Sequence, residues 1–204
     1  MREFDNQQRA SEFAAQTISK RLLARLEVSE RACLVVSGGS TPIECLSILS
    51  NMDLPWGRID VTLTDERNVP VDHAESNEKM VRETLLTANA ATARFVRLGE
   101  ENIKSLQPFA CCLAGMGEDG HFASIFPDSP QLKEAITSSA EVLVVTTPSS
   151  PLSRTTMTLD SLIKSDELVL LVFGEEKRKI LSAPDEYTIS HLLDASPVHV
   201  VWAP

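Results

Sequence analysis

Apolar residues recur at helical spacing near the start of the chain, at Phe13, Ile18, Leu22, Leu23 and Leu26, with the good helix formers Ala14, Ala15 and Gln16 between them. This pattern predicts an amphipathic helix over Asn6 to Leu26. The next apolar run, Ala32 to Val36, is short and continuous, and it stops at Ser37-Gly38-Gly39-Ser40-Thr41-Pro42. Helical spacing resumes from Ile43 to Leu49 with proline near the first turn, so the segment reads as strand, glycine loop, helix.

The alternation continues along the chain. Strand candidates fall at Asp60 to Thr64, Arg94 to Leu98, Ala110 to Ala114, Val142 to Thr146, Leu168 to Phe173 and Val198 to Trp202. Helix candidates fall at Asn77 to Leu86, Leu159 to Lys164 and Glu175 to Leu181. Most of the strands are unbroken apolar runs, as strands covered on both faces require. Alternating strands and helices predict an α/β fold with a mainly parallel sheet wound on both sides. Thr147 to Ser153 is rich in Ser and Pro and reads as a surface loop. No internal repeat or low-complexity linker interrupts the pattern, and 204 residues suit one domain over 1–204 with a sizeable core.

Composition changes the picture in three ways. A formal net charge of -10 argues against nucleic-acid or anionic-membrane partners, which are bound through clustered Lys and Arg. An anionic small molecule then needs a local positive pocket. No apolar run approaches the roughly 18 residues that cross a bilayer, and Met1 to Arg9 lacks a signal-peptide core, so a cytoplasmic location is expected. Cys33, Cys45, Cys111 and Cys112 form no CxxC pair and have no His at zinc-ligand spacing, which argues against a structural metal or disulfide framework. Cys33, Cys111 and Cys112 lie in apolar stretches and read as small buried hydrophobes.

Candidate chemistry gathers where strands end. Two glycines, Gly38 and Gly39, lead from a strand into a helix N-terminus, where unpaired N-H groups and the helix dipole suit a phosphate and the Ser40 and Thr41 hydroxyls add donors. A plain turn with a capping Ser or Thr is the alternative. No lysine follows the glycines, so this is not a nucleotide-binding P-loop. Thr64-Asp65-Glu66-Arg67 also follows a strand, with Arg67 either a bidentate phosphate clamp or part of a solvated turn. Gly115-Met116-Gly117-Glu118-Asp119-Gly120-His121 sets one histidine among glycines that allow close backbone approach. Histidine, with an unperturbed pKa of about 6.5, accepts a proton from water at neutral pH. His73, His191 and His199 lack such a setting. Arg154, in a polar loop before Leu159, and Lys177, after the strand ending at Phe173, complete a set of basic residues that suggests a shared anionic ligand.

The order SGGSTP, DERNVP with a downstream SNEKMVRETLL, GMGEDGHFASIFP, and a late Arg-Thr-Thr-Met-Thr-Leu and GEEKR resembles the 6-phosphogluconolactonases, relatives of the glucosamine-6-phosphate deaminases. The likeness runs from about Leu34 to Trp202. It implies a doubly wound, Rossmann-like three-layer sandwich of the glucosamine-6-phosphate deaminase type. It further implies hydrolysis of 6-phospho-D-glucono-1,5-lactone to 6-phospho-D-gluconate in the pentose-phosphate route, without metal or organic cofactor. Carried onto this chain, His121 matches the family's base and Asp119 the acid of the same loop, there to orient the imidazole, bind a sugar hydroxyl or cap the loop. Gly38, Gly39, Ser40 and Thr41 match the phosphate loop, and Asp65, Arg67, Arg154 and Lys177 match substrate-binding positions.

The chain departs from the family pattern at Ala110, where an acid is common, and at Phe122, where threonine is common and where a bulky ring would reshape the pocket. The Leu86 to Ala110 connection reads as shortened, and the chain ends at Trp202-Ala203-Pro204 where relatives commonly continue. The expected partner is a sugar-phosphate lactone, with the protein a monomer or weak homo-oligomer. Two other readings stand beside this one: an amino-sugar-phosphate deaminase or isomerase, whose motif has Asp-Glu-Tyr in place of Asp65-Glu66-Arg67, and a non-catalytic sugar-phosphate sensor.

Overall fold

The computed structural model describes residues 1–99 and 102–204. Its elements in chain order are β1 (Arg2–Glu3), α1 (Gln7–Val28), β2 (Ala32–Val36), α2 (Ile43–Ser50), β3 (Ile59–Leu63), β4 (Asp65–Arg67), α3 (Asn77–Thr84), β5 (Arg94–Phe95), β6 (Cys111–Ala114), α4 (Leu132–Thr137), β7 (Val142–Thr147), β8 (Ser150–Met157), α5 (Leu159–Leu162), β9 (Leu168–Phe173), α6 (Glu175–Ser182), α7 (Ile189–Ala195) and β10 (Val198–Ala203). The helix expected at the start opens where the Asn6 side chain accepts the Arg9 N-H at 2.9 Å, a side-chain cap that satisfies one of the free first-turn donors. Its residues Ala10, Ala14, Ile18 and Leu22, four apart, lie on one face and are fully buried. Burial of Ile18 and Leu22 contributes about 1.5–3 kcal/mol each.

The main sheet has seven strands in the order β1-β10-β9-β6-β2-β3-β5, and every neighbouring pair is parallel. Along β2, Ala32, Leu34 and Val36 enter a core shared with Ile18, Leu22 and Leu46, while Cys33 and Val35 enter a second core with Phe109, Leu162 and Leu192. Both faces are therefore covered, which is why these strands have no polar period in the sequence. All four cysteines are free and buried, and burial pushes the Cys45 and Cys112 thiols up to about 12. They act as small hydrophobes. Among the described residues no helix is long and apolar enough to cross a membrane.

One part of the expected topology is different. The run near Val142 belongs to a separate antiparallel sheet of order β4-β8-β7, and the polar stretch around Arg154 is strand β8, not a loop. Only one face of β7 is covered: Val145 and Thr147 are buried whereas Val144 is 63% exposed. The Leu86 to Ala110 connection holds β5 and two 3₁₀ turns among its described residues, with residues 100 and 101 outside them. Helices α4 and α7 were not expected from the pattern.

The winding positions the site. From β2 the chain moves outward to β3 and β5, then returns to place β6 on the other side of β2. The loops leaving β2 and β6 therefore turn apart, and open α/β sheets bind ligands in the crevice this reversal creates at the carboxyl ends of the strands.

Candidate active site

The loop Ser37 to Thr41 after β2 and the loop Gly115 to His121 after β6 border one cavity of about 220 Å³, with Asp65, Arg67, Asn77, Arg154 and Lys177 in the remaining wall. Every wall residue singled out in the sequence, Gly38, Gly39, Ser40, Thr41, Asp65, Arg67, His121, Arg154 and Lys177, is thus brought to one place. Asp119 stands behind His121 instead of in the wall. Phe122 and Ala110 do not reach the cavity: each is buried in the core, so neither departure alters the wall by contact.

The β2 loop turns at Gly39, whose φ of +86° lies in the left-handed region that favours glycine. Among the described residues the N-H groups of Gly39, Ser40 and Thr41 have no protein acceptor, and α2 begins two residues later at Ile43. Unsatisfied donors at a helix N-terminus favour an anion.

Two arginines face this loop from the second sheet. Arg67 on β4 and Arg154 on β8 are direct cross-strand partners, with side chains 21% and 12% exposed. Arg67 Nη1 donates to the Glu75 carbonyl at 2.8 Å and to Asn77 Oδ1 at 2.9 Å. Arg154 donates to Ser150 Oγ at 3.1 Å and lies 3.9 Å from Asp65. The Nε of each is buried without a protein partner. Burial and then the charge of Arg67 pull the Arg154 guanidinium below the usual arginine range. Like charges held opposite one another with unused donors form a pocket built for an anion, and Lys177, in the first turn of α6, adds a third positive charge.

His121 lines the same cavity. Its Nδ1 is 2.5 Å from Asp119 Oδ1, and its ring stacks on Phe126 with centroids 4.0 Å apart. Burial works to raise the Asp119 carboxyl, but hydrogen bonds from the His121 ring and N-H outweigh it and hold the group below the usual carboxylate range. In the tautomer that donates Nδ1–H to an ionised Asp119, Nε2 keeps its lone pair. A Cβ added to Gly117 would lie 2.2 Å from His121 Cε1, so glycine is needed there for the ring to fold back over the loop. His73, His191 and His199 lie outside the cavity wall. Among the described residues no three His, Cys, Asp or Glu side chains gather as a metal ion would need.

Three supporting residues escaped the sequence reading. Asn77 donates Nδ2 to the Asp65 carbonyl at 2.8 Å while holding Arg67. Glu66 caps α3, accepting the N-H groups of Asn77 at 2.8 Å and Glu78 at 2.7 Å. Ser124 Oγ donates to Asp65 Oδ2 at 2.5 Å and its N-H donates to Thr156 Oγ1 at 3.1 Å, tying the segment after the histidine loop to the second sheet. The presence of Asn77 inside SNEKMVRETLL was the available signal, but nothing local in that segment points to Arg67.

Comparison with known proteins places the chain. A family model described as glucosamine-6-phosphate isomerases/6-phosphogluconolactonase matches residues 5–203. A 6-phosphogluconolactonase of Neisseria meningitidis serogroup B is 36% identical, the match covering 98% of this chain and 97% of that protein. One of Pseudomonas putida is 35% identical over 93% of this chain and 87% of its own. The crystal structure of a 6-phosphogluconolactonase from Shewanella baltica superposes with a TM-score of 0.93 at 31% identity, covering 100% of this chain and 97% of that one. A monomeric glucosamine-6-phosphate deaminase shares the fold at 18% identity, with a TM-score of 0.76. With its described geometry and these matches over nearly its whole length, the chain belongs to the glucosamine-6-phosphate isomerase/6-phosphogluconolactonase family.

Proposed function

We propose that this protein hydrolyses 6-phospho-D-glucono-1,5-lactone to 6-phospho-D-gluconate, in the pentose-phosphate pathway, with His121 as the base. The observation that carries the reading is that a carboxylate-held histidine and three basic side chains line one cavity. The 36% identity to a 6-phosphogluconolactonase over nearly the whole chain supports the same reaction. Opening a lactone with water requires a base, donors for the developing oxyanion, and a remote anchor that fixes the ring.

The anchor is the substrate phosphate, held by the Gly39 to Thr41 N-H groups, Arg67, Arg154 and Lys177. His121 Nε2 takes a proton from water as the oxygen attacks the ring carbonyl, and Asp119 stabilises the imidazolium that forms. The N-H groups of Gly115 and Met116, which have no protein acceptor among the described residues, meet the oxyanion. The proton on His121 then passes to the ring oxygen as the C–O bond breaks, giving the carboxylic acid and a free hydroxyl.

Hydrolysis of freshly generated lactone, coupled to a 6-phosphogluconate dehydrogenase and corrected for spontaneous opening, tests the proposal. A large enzyme-dependent excess is expected, and Arg67→Ala raises KM by about tenfold or more through loss of a charged hydrogen-bonding partner. Absence of any excess, with ammonia released from glucosamine 6-phosphate instead, assigns the deaminase reaction and overturns the reading.

A further inference from the structure

We infer that Asn77 is the positioning residue of the phosphate pocket, setting Arg67 and the Gly38 turn in one arrangement from a helix that takes no part in the chemistry. The inference rests on the phosphate-anchor reading of the site given above. Asn77 is the first residue of α3 and is 2% exposed. Its Oδ1 accepts from Arg67 Nη1 at 2.9 Å and its Nδ2 donates to the Asp65 carbonyl at 2.8 Å, so one planar amide clamps both ends of β4. The edge of that amide lies directly against the glycine loop. A Cβ built on Gly38 would meet Asn77 Oδ1 at 1.9 Å, Cγ at 2.2 Å and Nδ2 at 2.5 Å.

Gly38 itself has no left-handed backbone, since positive φ in this loop is confined to Gly39. The glycine at 38 is therefore explained by the space that Asn77 fills. Asn77 is in turn fixed from below by Glu66, whose Oε1 accepts the Asn77 N-H at 2.8 Å. A buried polar side chain with both amide ends satisfied sets position more sharply than an apolar residue of similar size, because moving it breaks hydrogen bonds that no water replaces. The arginine's Nη1 is shared between Asn77 Oδ1 and the Glu75 carbonyl, with the Glu75 carboxylate 3.9 Å away, while its Nε is left without a protein partner.

The test measures binding of inorganic phosphate by calorimetry alongside lactone kinetics, for the wild type, Asn77→Ala, Gly38→Ala and the double variant. Asn77→Ala is expected to weaken phosphate binding and raise KM by about tenfold while kcat changes less than about threefold, a split that loss of fold would not give. Gly38→Ala, which keeps the amide but displaces it, is expected to give a similar loss. It tests the idea even where Asn77→Ala fails to fold. In the double variant the two losses overlap, leaving it within about threefold of Asn77→Ala, since the added methyl then meets no amide. Losses that multiply, or either single variant binding phosphate within about twofold of wild type, overturn the inference. Phosphate binding needs no turnover, so a wild type that binds phosphate yet leaves the lactone unopened would refute the reaction and leave this test standing.

Discussion

Replacing Arg154 with methionine separates stability from binding at a single residue. In the free protein Arg154 lies opposite Arg67, its Nε buried and unpaired, with its guanidinium 5.0 Å above the Phe126 ring. Methionine keeps an unbranched apolar stem and drops the charge. Removing an unpaired buried donor recovers about 1–3 kcal/mol, and removing a like charge directly opposite recovers about 0.2–1 kcal/mol. Against this stand the charged hydrogen bond to Ser150, about 1.5–3 kcal/mol, the contact with the Phe126 ring, about 0.5–2 kcal/mol, and the attraction of the Asp65 carboxylate 3.9 Å away, about 1 kcal/mol or less. The losses exceed the gains only slightly, so the ligand-free variant is expected to be less stable than wild type by no more than about 2 kcal/mol, which lowers Tm by no more than about 8 °C for a chain of this size. Phosphate at about a hundred times its Kd adds about 2.7 kcal/mol to the wild type. The variant should keep less than half of that gain. Thermal unfolding with and without inorganic phosphate reads both quantities. A variant that retains the full phosphate gain would refute the idea that this arginine is held for an anion.

Other substitutions probe different parts of the molecule. Gly117→Ala puts a methyl 2.2 Å from the His121 ring and 2.7 Å from Asp119 Oδ1, so kcat should fall by about tenfold or more with phosphate affinity little changed, as kinetics and calorimetry together would reveal. Asp60 is 3% exposed, and burial, which would raise its carboxyl, is outweighed by hydrogen bonds from Arg31 and Arg94 that hold it below the usual range. A carboxyl depressed in the folded state stabilises above its unfolded pKa of about 3.9 and loses that contribution as pH falls through the folded value. Asp60→Asn should therefore lower stability by about 2 kcal/mol at pH 7, from the loss of charged hydrogen bonds. Urea midpoints measured down the pH scale should show the gap to wild type closing below about pH 4. A gap that persists in acid would mean that packing, and not the ion pairs, sets the cost.

How much of this was legible in the sequence follows from where burial leaves a trace. Strands β2, β6 and β9 are apolar throughout because both faces meet a core, so unbroken runs marked them and their parallel arrangement. The same signal misled at β7: its apolar run resembles a central strand, yet it pairs only with β8 at the edge of the small antiparallel sheet. Strand β8 was hidden for the opposite reason, since Arg154 lines the cavity while Ser153 and Thr155 bond to the Asn68 side chain, which leaves no apolar period. Arg154 was picked out by residue type and motif order, while the element that carries it was misread as loop. The glycine loops and His121 were legible because they follow strand ends, where the winding of the sheet makes a crevice. Asn77 and Ser124 were not, because no periodic pattern links Asn77 to Arg67 across the loop between β4 and α3, and Ser124 meets Asp65 only through the packed fold.

The central claim is tested most directly by the rate of lactone hydrolysis by His121→Ala, measured with phosphate binding on the same sample. The proposed mechanism makes His121, which shares its cavity wall with Arg67, Arg154 and Lys177, the acceptor of the water proton. Removing it should cut kcat by at least about a hundredfold, the usual contribution of a general base, while phosphate affinity stays within about twofold of wild type. Near-normal turnover in His121→Ala would contradict the account and move the base elsewhere in the cavity.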